Sequence, residues 1–449
     1  MLLTTKVSLK KIKSDKLLII KEMTKNSKDL YNKGLYNIRQ QFFKDKSYLS
    51  YGKNDKLTKT QWNETETSQE YYNLQSNCSQ QILKKLDKNF KSFFKLLKMK
   101  NNGKFNEKVN IPKYLGKDEH NIVIFSKSSF KILGNYIRLS TPVYIQKRLK
   151  SENKDPYLNF KIPKNIIDKN NIQEVHILPN KSGTKFTLIF IYKNKEVNLK
   201  KDNGNYLSLD LGVDNIVSMV NSNSGESILI NGKEIKSINR FINKNKSVLS
   251  SILKLNQNKH YSKRLDNLDT KRLNILKDRL HKISTYIIDY CLNNNINNIV
   301  IGINEGWKNA INIGKKNNQN FLNIPHSLLI QYIEYKSKLS GLNCILQEES
   351  YTSKVDSLVL EDLPVYGEYS DKEISKTINP LTNIKYLGKR IKRGLFQSSS
   401  GKLIHSDING SLNILRKYLN SLDICKQDSL IKKILSSGRV FRPIKISIV

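Results

Sequence analysis

The chain has 449 residues, 38% apolar and 26% charged, enough for two or three domains with cores of their own. Its 78 Lys+Arg against 39 Asp+Glu leave a formal net charge of +39, a self-repulsion that a polyanion would offset; nucleic acid is the first partner to expect and a membrane surface a distant second. No stretch approaches the ~18 uninterrupted apolar residues of a membrane span, the opening MLLTTKVSLKKIK has no signal-peptide core, and four scattered cysteines without a CxxC pair speak against disulfides and structural zinc.

Residues 3–9 alternate as a first strand, and 17–44 read as a helix with Leu30, Leu35, Ile38 and Phe42 at helical spacing. A polar gap at 52–65 precedes the clearest helix of this half, 70–100. Its apolar stripe is Leu83, Leu86, Phe90, Phe93, Phe94 and Leu97; its other face is Lys84, Lys85, Lys88, Lys91, Lys95 and Lys98. Only Lys91 has an acid four residues before it, so phosphate contact is preferred over plain solvation for that face.

From Pro112 the pattern turns β-like, with short runs at 121–126, 136–140, 175–178 and 186–193, and a hairpin connection at 179–183. His176 alternates with apolar residues and reads as structural. A third region begins near 205, with strands at 206–211, 215–221 and 226–231. Helices follow at 235–257 and 268–293, the second carrying a solvated His281. Next come a buried strand at 297–304, a helix from Pro325 to 339 and a strand at 344–350. Residues 352–404 are polar and Gly/Ser-rich and read as an inserted lobe. Asp407 opens a helix to 419, and the last 30 residues carry no readable role. A three-strand meander followed by two strands reached through helices is an RNase H-like order. The first strand is then central and the two later ones parallel to it, so their C-terminal ends gather at one edge.

Two lone acids stand at element ends, Asp210 after an apolar run and Asp407 before an apolar helix. A buried acid needs a cationic partner, and two-metal phosphodiester cleavage needs three or four such carboxylates. Asp407 also reads as a helix N-cap, and Asp214 and Asn215 serve the turn after Asp210. The expected place for the third acid, the end of the 297–302 run, is Gly302. Glu349 at the end of the neighbouring strand is the preferred substitute; Glu305, or no third acid, are the alternatives. Glu348 should face the other way, since side chains alternate.

These residues carry a resemblance to the TnpB family, the OrfB proteins of insertion sequences, covering roughly 20–418. The matching segments are LYNKGLYNIRQQFF (30–43), NIPKYL (110–115), LSLDLGVDN (207–215), NIVIGINEGWKN (298–309), EESYTSK (348–354), KRIKRGLF (389–396) and HSDINGSLNILRK (405–417). The resemblance implies an RNA-guided DNA endonuclease related to type V CRISPR effectors, with an α+β multidomain architecture. A β-barrel-like wedge domain (1–16 and 111–204) would hold a helical recognition insertion (17–110). A RuvC nuclease domain (205–350 and 405–420) would carry a target-nucleic-acid-binding lobe (351–404), followed by a tail (421–449).

It further implies Mg2+, with Mn2+ as a substitute, held by Asp210, Glu349 and Asp407; Arg390 and Arg393 read either as phosphate contacts near the cut or as part of a loosely basic loop. A transposon-end guide RNA and double-stranded target DNA would be the partners, no membrane would be involved, and the setting would be a prokaryotic cytoplasm near the nucleoid. Two departures stand out. The usual second-motif Glu falls on Gly302, and where many members place CxxC pairs this chain has Thr352–Val355 and Phe396–Gly401, so no zinc is expected. A nuclease-inactive, RNA-guided DNA-binding repressor is the alternative reading, and a DNA-joining transposase a more remote one.

Overall fold

Alternation at the N-terminus and helical stripes after it shape the first half of the chain. In the computed structural model, β1 (Leu2–Ser8) leads into α1 (Ser14–Asp45), α2 (Tyr51–Glu64) and α3 (Ser76–Asn101). The structure describes all residues except 10–11, 65–68, 106, 181–182, 196, 258–261, 305–323, 365–385, 423–426 and 449, and the side chains of 61–64, 256–257 and 427. The chain divides into two compact units, Met1–Lys195 and Glu196–Val449.

In the first unit, β2 (Val123–Ser126), β3 (Phe130–Leu133), β4 (Tyr136–Leu139), α4 (Val143–Ser151), β5 (Leu158–Lys161), β6 (Ile172–Pro179) and β7 (Phe186–Lys193) follow. They form two antiparallel sheets, ordered β1-β7-β6-β2 and β3-β4-β5. Ile20, Leu30 and Leu35 of α1 and Ile82 and Leu86 of α3 share one core with Phe125 and Phe190 of the larger sheet. His176 pairs with Glu174 inside β6.

One expectation for this unit changes. The polar stretch 52–65 is mostly helix, because its polar residues face inward and satisfy each other. Asn54 and Thr58 are 1% and 2% exposed; Asn37 Nδ2 donates to Asn54 Oδ1 and Thr58 Oγ1, and Asn54 Nδ2 donates to the Gly34 carbonyl. A reading based on apolar periodicity misses a helix buried through amides. The lysine face of α3 is also partly engaged within the chain. Lys91 pairs with Asp87 at 2.7 Å, Lys84 lies over the Tyr51 ring, and burial lowers the pKa of Lys85. Lys88, Lys95 and Lys98 remain exposed.

The second unit is built on one six-stranded sheet, ordered β12-β11-β8-β9-β10-β16. Here β8 is Tyr206–Asp210, β9 Asn215–Asn221, β10 Ser227–Asn231, β11 Asn298–Ile303, β12 Asn343–Glu348 and β16 Ile444–Ile446. The meander β8–β9–β10 is antiparallel, while β11 runs parallel to β8 and β12 parallel to β11. The helices are α5 (Lys233–Gln257), α6 (Lys263–Asn293), α7 (His326–Leu339), α8 (Ser406–Ser421) and α9 (Gln427–Ser436).

Side-chain alternation divides the work of the two faces. Leu207, Leu209, Ile299 and Ile301 pack with α6 and α7. Tyr206 and Val300 face Ile408, Leu412 and Leu415 of α8 and Ile431 and Ile434 of α9. Asp210 and Gly302 therefore fall on the α8 face. His281 is not free in solvent: its ring stacks on Tyr332 at 3.8 Å between α6 and α7. The unreadable tail is structured, with α9 in the core and β16 extending the sheet parallel to β10. Among the described residues no helix is long and apolar enough to cross a membrane.

If the Asn37–Asn54–Thr58 amide network holds α2, Asn54→Ala should cost about 1–2 kcal/mol locally. Hydrogen exchange should then show lost protection confined to 51–64, with α1 and α3 unchanged.

Candidate metal centre

Asp210 is the last residue of β8, where alternation points it at α8. That helix approaches β8 closely because its facing positions are small. Ser411 Oγ donates to the Ser208 carbonyl at 3.0 Å, and a Cβ placed on Gly410 would stand 2.6 Å from Asp210 Oδ2. The close approach sets Asp407, in the first turn of α8, beside the end of β8. His405 Nδ1 caps the helix by accepting from the Asp407 N–H.

Glu349 reaches the same place by filling a gap. It follows β12 directly, and its N–H continues the ladder to the Ile303 carbonyl at 3.0 Å. Its carboxylate lies against Gly302, where a Cβ would overlap Glu349 Oε2 and Ile414 Cδ1. The glycine that stands where an acid is expected is thus the vacancy that admits the acid from the next strand. Glu349 is 9% exposed. Its Oε1 accepts from Asn304 Nδ2 at 3.3 Å, while its buried Oε2 has no hydrogen-bond partner.

The segment after Glu349 is pinned by one face of α8. Asn409 and Asn413 donate to the Val355 carbonyl, Asn413 also to that of Thr352, and Asn409 Oδ1 accepts from Ser357. Lys417, one further turn along, holds Glu348 and the Ser350 carbonyl. Residues 409, 413 and 417 recur every four positions, so they share a helix face. Glu348 does not turn away as alternation predicts: β12 ends at 348, and the Glu348 carboxylate pairs with Lys417 of α8. Glu305, the other candidate, lies outside the described residues.

Burial, then the charges of Glu349 and Asp407, push the Asp210 carboxyl well above the usual carboxylate range, against the opposing pull of Arg390. Burial and then Glu348 raise Glu349 to about 7. Asp407 is held differently: Asn215 Nδ2 donates to Oδ2 at 2.9 Å and Arg390 Nη2 to Oδ1 at 3.3 Å. Asn215, read only as a turn residue, is thus an orienting group for Asp407. Among the described residues no three His, Cys, Asp or Glu side chains close into a ligand set as they stand. The donors nonetheless suit a hard divalent ion. All three are carboxylates, two are destabilised as anions by each other or by burial, and Glu349 Oε2 is buried without a partner.

Asp407 opens on a cleft of about 710 Å³, lined among others by Lys233, Lys236, Arg390, Arg393 and Lys445. The two arginines come from a three-stranded ribbon, β13 (Lys389–Lys392), β14 (Leu395–Gln397) and β15 (Leu403–His405). Arg393 and Lys236 both pair with Asp214.

The base of the ribbon is tied to the segment after Glu349 by a buried carboxylate. Asp356 is 0% exposed. Its Oδ2 accepts from Ser398 Oγ at 2.7 Å and the Ser399 N–H at 2.8 Å, and its Oδ1 from the Leu358 N–H at 3.0 Å. The serine run 398–400, noted only as a place without cysteine, is the other half of this clasp.

Comparison with known proteins bears on the same region. The OrfB_IS605 family, described as a probable transposase, matches residues 190–308, which include β8 and Gly302. The TnpB-like protein ORF457 of Acidianus two-tailed virus is 26% identical over 423 residues, covering 87% of this chain and 81% of its own length. Among solved structures, the Cas12f1–sgRNA–target DNA complex contains a chain with a TM-score of 0.52 at 15% identity, covering 90% of this chain and 83% of that one. This last likeness is one of fold alone.

The raised carboxyls have a consequence for stability. A folded pKa near 7 against an ordinary 4.5 for Glu349 means that the contribution is fully present below about pH 4.5 and is lost as pH rises through about 7. In chelator, Glu349→Gln should therefore melt near wild type at pH 5 and several degrees above it at pH 8. Adding Mg2+ at pH 8 should stabilise wild type more than the variant, as read by calorimetry. For the clasp, Asp356→Ala should cost about 1–3 kcal/mol by removing the acceptor of the buried Ser398 hydroxyl and of two partly buried N–H groups. Limited proteolysis should then cut within 386–404, and chelator should leave the wild-type pattern there unchanged.

Proposed function

We propose that this chain, a TnpB-like protein of the OrfB family, is an RNA-guided DNA endonuclease whose nuclease centre is Asp210, Glu349 and Asp407. The observation that carries the reading is the convergence of the three acids on one sheet edge, with Glu349 seated against Gly302. A buried Asp210 destabilised as an anion by Glu349 and Asp407, beside a buried Glu349, is a poor way to hold a fold together and a good way to bind a divalent cation. Such an ion, when bound, would activate water and stabilise the leaving oxygen in phosphodiester hydrolysis.

The chain's own groups prepare the site around it. Asn215 fixes Asp407, Asn304 fixes one oxygen of Glu349, and the Asn409–Asn413–Lys417 face fixes the backbone that carries Glu349. Arg390 neutralises Asp407 in this state. A phosphate at the cleft offers that guanidinium an alternative partner, which frees a carboxylate oxygen as substrate arrives. The excess of 39 positive charges suits a backbone-held guide RNA and heteroduplex, with base pairing supplying sequence specificity. In this reading residues 1–204 form the wedge and recognition parts, 205–350 with 405–420 the nuclease, and 351–404 the inserted lobe.

The test is cleavage of guide-matched plasmid beside its flanking motif in Mg2+ or Mn2+. Asp210→Ala, Glu349→Gln and Asp407→Asn should each lower the rate at least about 100-fold while retaining guide-directed binding. Full cleavage by Glu349→Gln would remove that residue from the centre. Binding without any cleavage by wild type would instead favour the RNA-guided repressor.

A further inference from the structure

The tail has residues that hold the fold and exposed ones that do not, Lys445 among them. Val440 is buried in the α8–α9 core, and Ile446 packs partly buried against the core on the opposite face of the sheet. Lys445, between Ile444 and Ile446 on β16, alternates to the face that carries Asp210 and Gly302. Its register partner Leu229 packs on that face too. Lys445 is exposed and lines the cleft onto which Asp407 opens.

The cations of that cleft are not equivalent. Lys236 and Arg393 are taken by Asp214, and Arg390 by Asp407. Lys233 and Lys445 have no carboxylate partner among the described residues. Lys233 opens the 25-residue α5, with its N–H bonded to Asn231 Oδ1, so the positive end of a helix dipole faces the same cleft. Two lysines without a carboxylate partner among the described residues and a helix N-terminus, lining the same cleft as the arginine ribbon, suit an anion with several acceptor oxygens.

We propose that the C-terminal segment 438–448 is a working wall of the nuclease cleft, in which Lys445 of β16 acts with Lys233 to hold a backbone phosphate of the DNA strand led to Asp407. Lys445 is thereby a positioning residue, and the tail is part of the nuclease rather than an appendage. The identity of the strand rests on the endonuclease reading above; the placement of the phosphate does not.

Two experiments on the full chain separate these. In the first, Lys445→Cys in an Asp210→Asn background is mixed with single-stranded DNA bearing a bromoacetyl-phosphorothioate, and crosslinks are mapped by mass spectrometry. Lys432→Cys, exposed on α9 outside the cleft, is the control. Capture at 445 well above 432 is expected; equal or absent capture overturns the proposal. In the second, Lys445→Glu should slow cleavage of guide-matched DNA at least 10-fold while its guide-directed binding stays within twofold, and Lys432→Glu should match wild type. Wild-type cleavage by Lys445→Glu also overturns the proposal. Crosslinking at 445 in a chain that cleaves nothing would leave the phosphate wall standing and refute the nuclease reading instead.

Discussion

The constraint on which the second unit turns is the crowding of like charge at one end of its sheet. Asp210, Glu349 and Asp407 are carried by three separate elements, and the first two pay in raised pKa for being there. Nothing in the packing compels that arrangement. Apolar residues would serve the α8 interface at lower cost. A site that is expensive to the fold and chemically coherent is better explained by its ligand than by stability.

Two glycines and one helix face make the crowding geometrically feasible. Gly410 lets α8 come close to the Asp210 carboxylate, and Gly302 leaves the space into which Glu349 folds from the next strand. The α8 face then grips the chain on either side: Ser411 holds β8, and Asn409, Asn413 and Lys417 hold the segment around Glu349. The helix that supplies one acid therefore also positions the other two. The Asp356–serine clasp extends the same frame to the ribbon that brings Arg390 over Asp407.

Much of this was legible because it is periodic. The central position of β8, the parallel β11 and β12 and the helices between them follow from alternation and helical stripes, and Asp210 and Asp407 stand out as lone acids at element ends. What escaped the sequence is what periodicity does not encode. Helix α2 is buried through Asn54 and Thr58, so its polar composition looked like a gap. Glu348 lies just where the strand rule lapses. Asn409, Asn413 and Lys417 do carry a signal, polar residues four apart on a helix otherwise buried, and Asn215 carried one too obvious to question, a turn. Lys445 had no signal in sequence, since its meaning comes from the register of a three-residue strand against β10.

The central claim is that Glu349, through the space left by Gly302, completes one cation site with Asp210 and Asp407. Anomalous diffraction from Mn2+-soaked crystals of the full chain tests it most directly. The account predicts a manganese peak about 2.1 Å from carboxylate oxygens of all three residues, with Glu349 Oε2 among them. A peak bound by Asp210 and Asp407 without Glu349, or with another acid in its place, would contradict it.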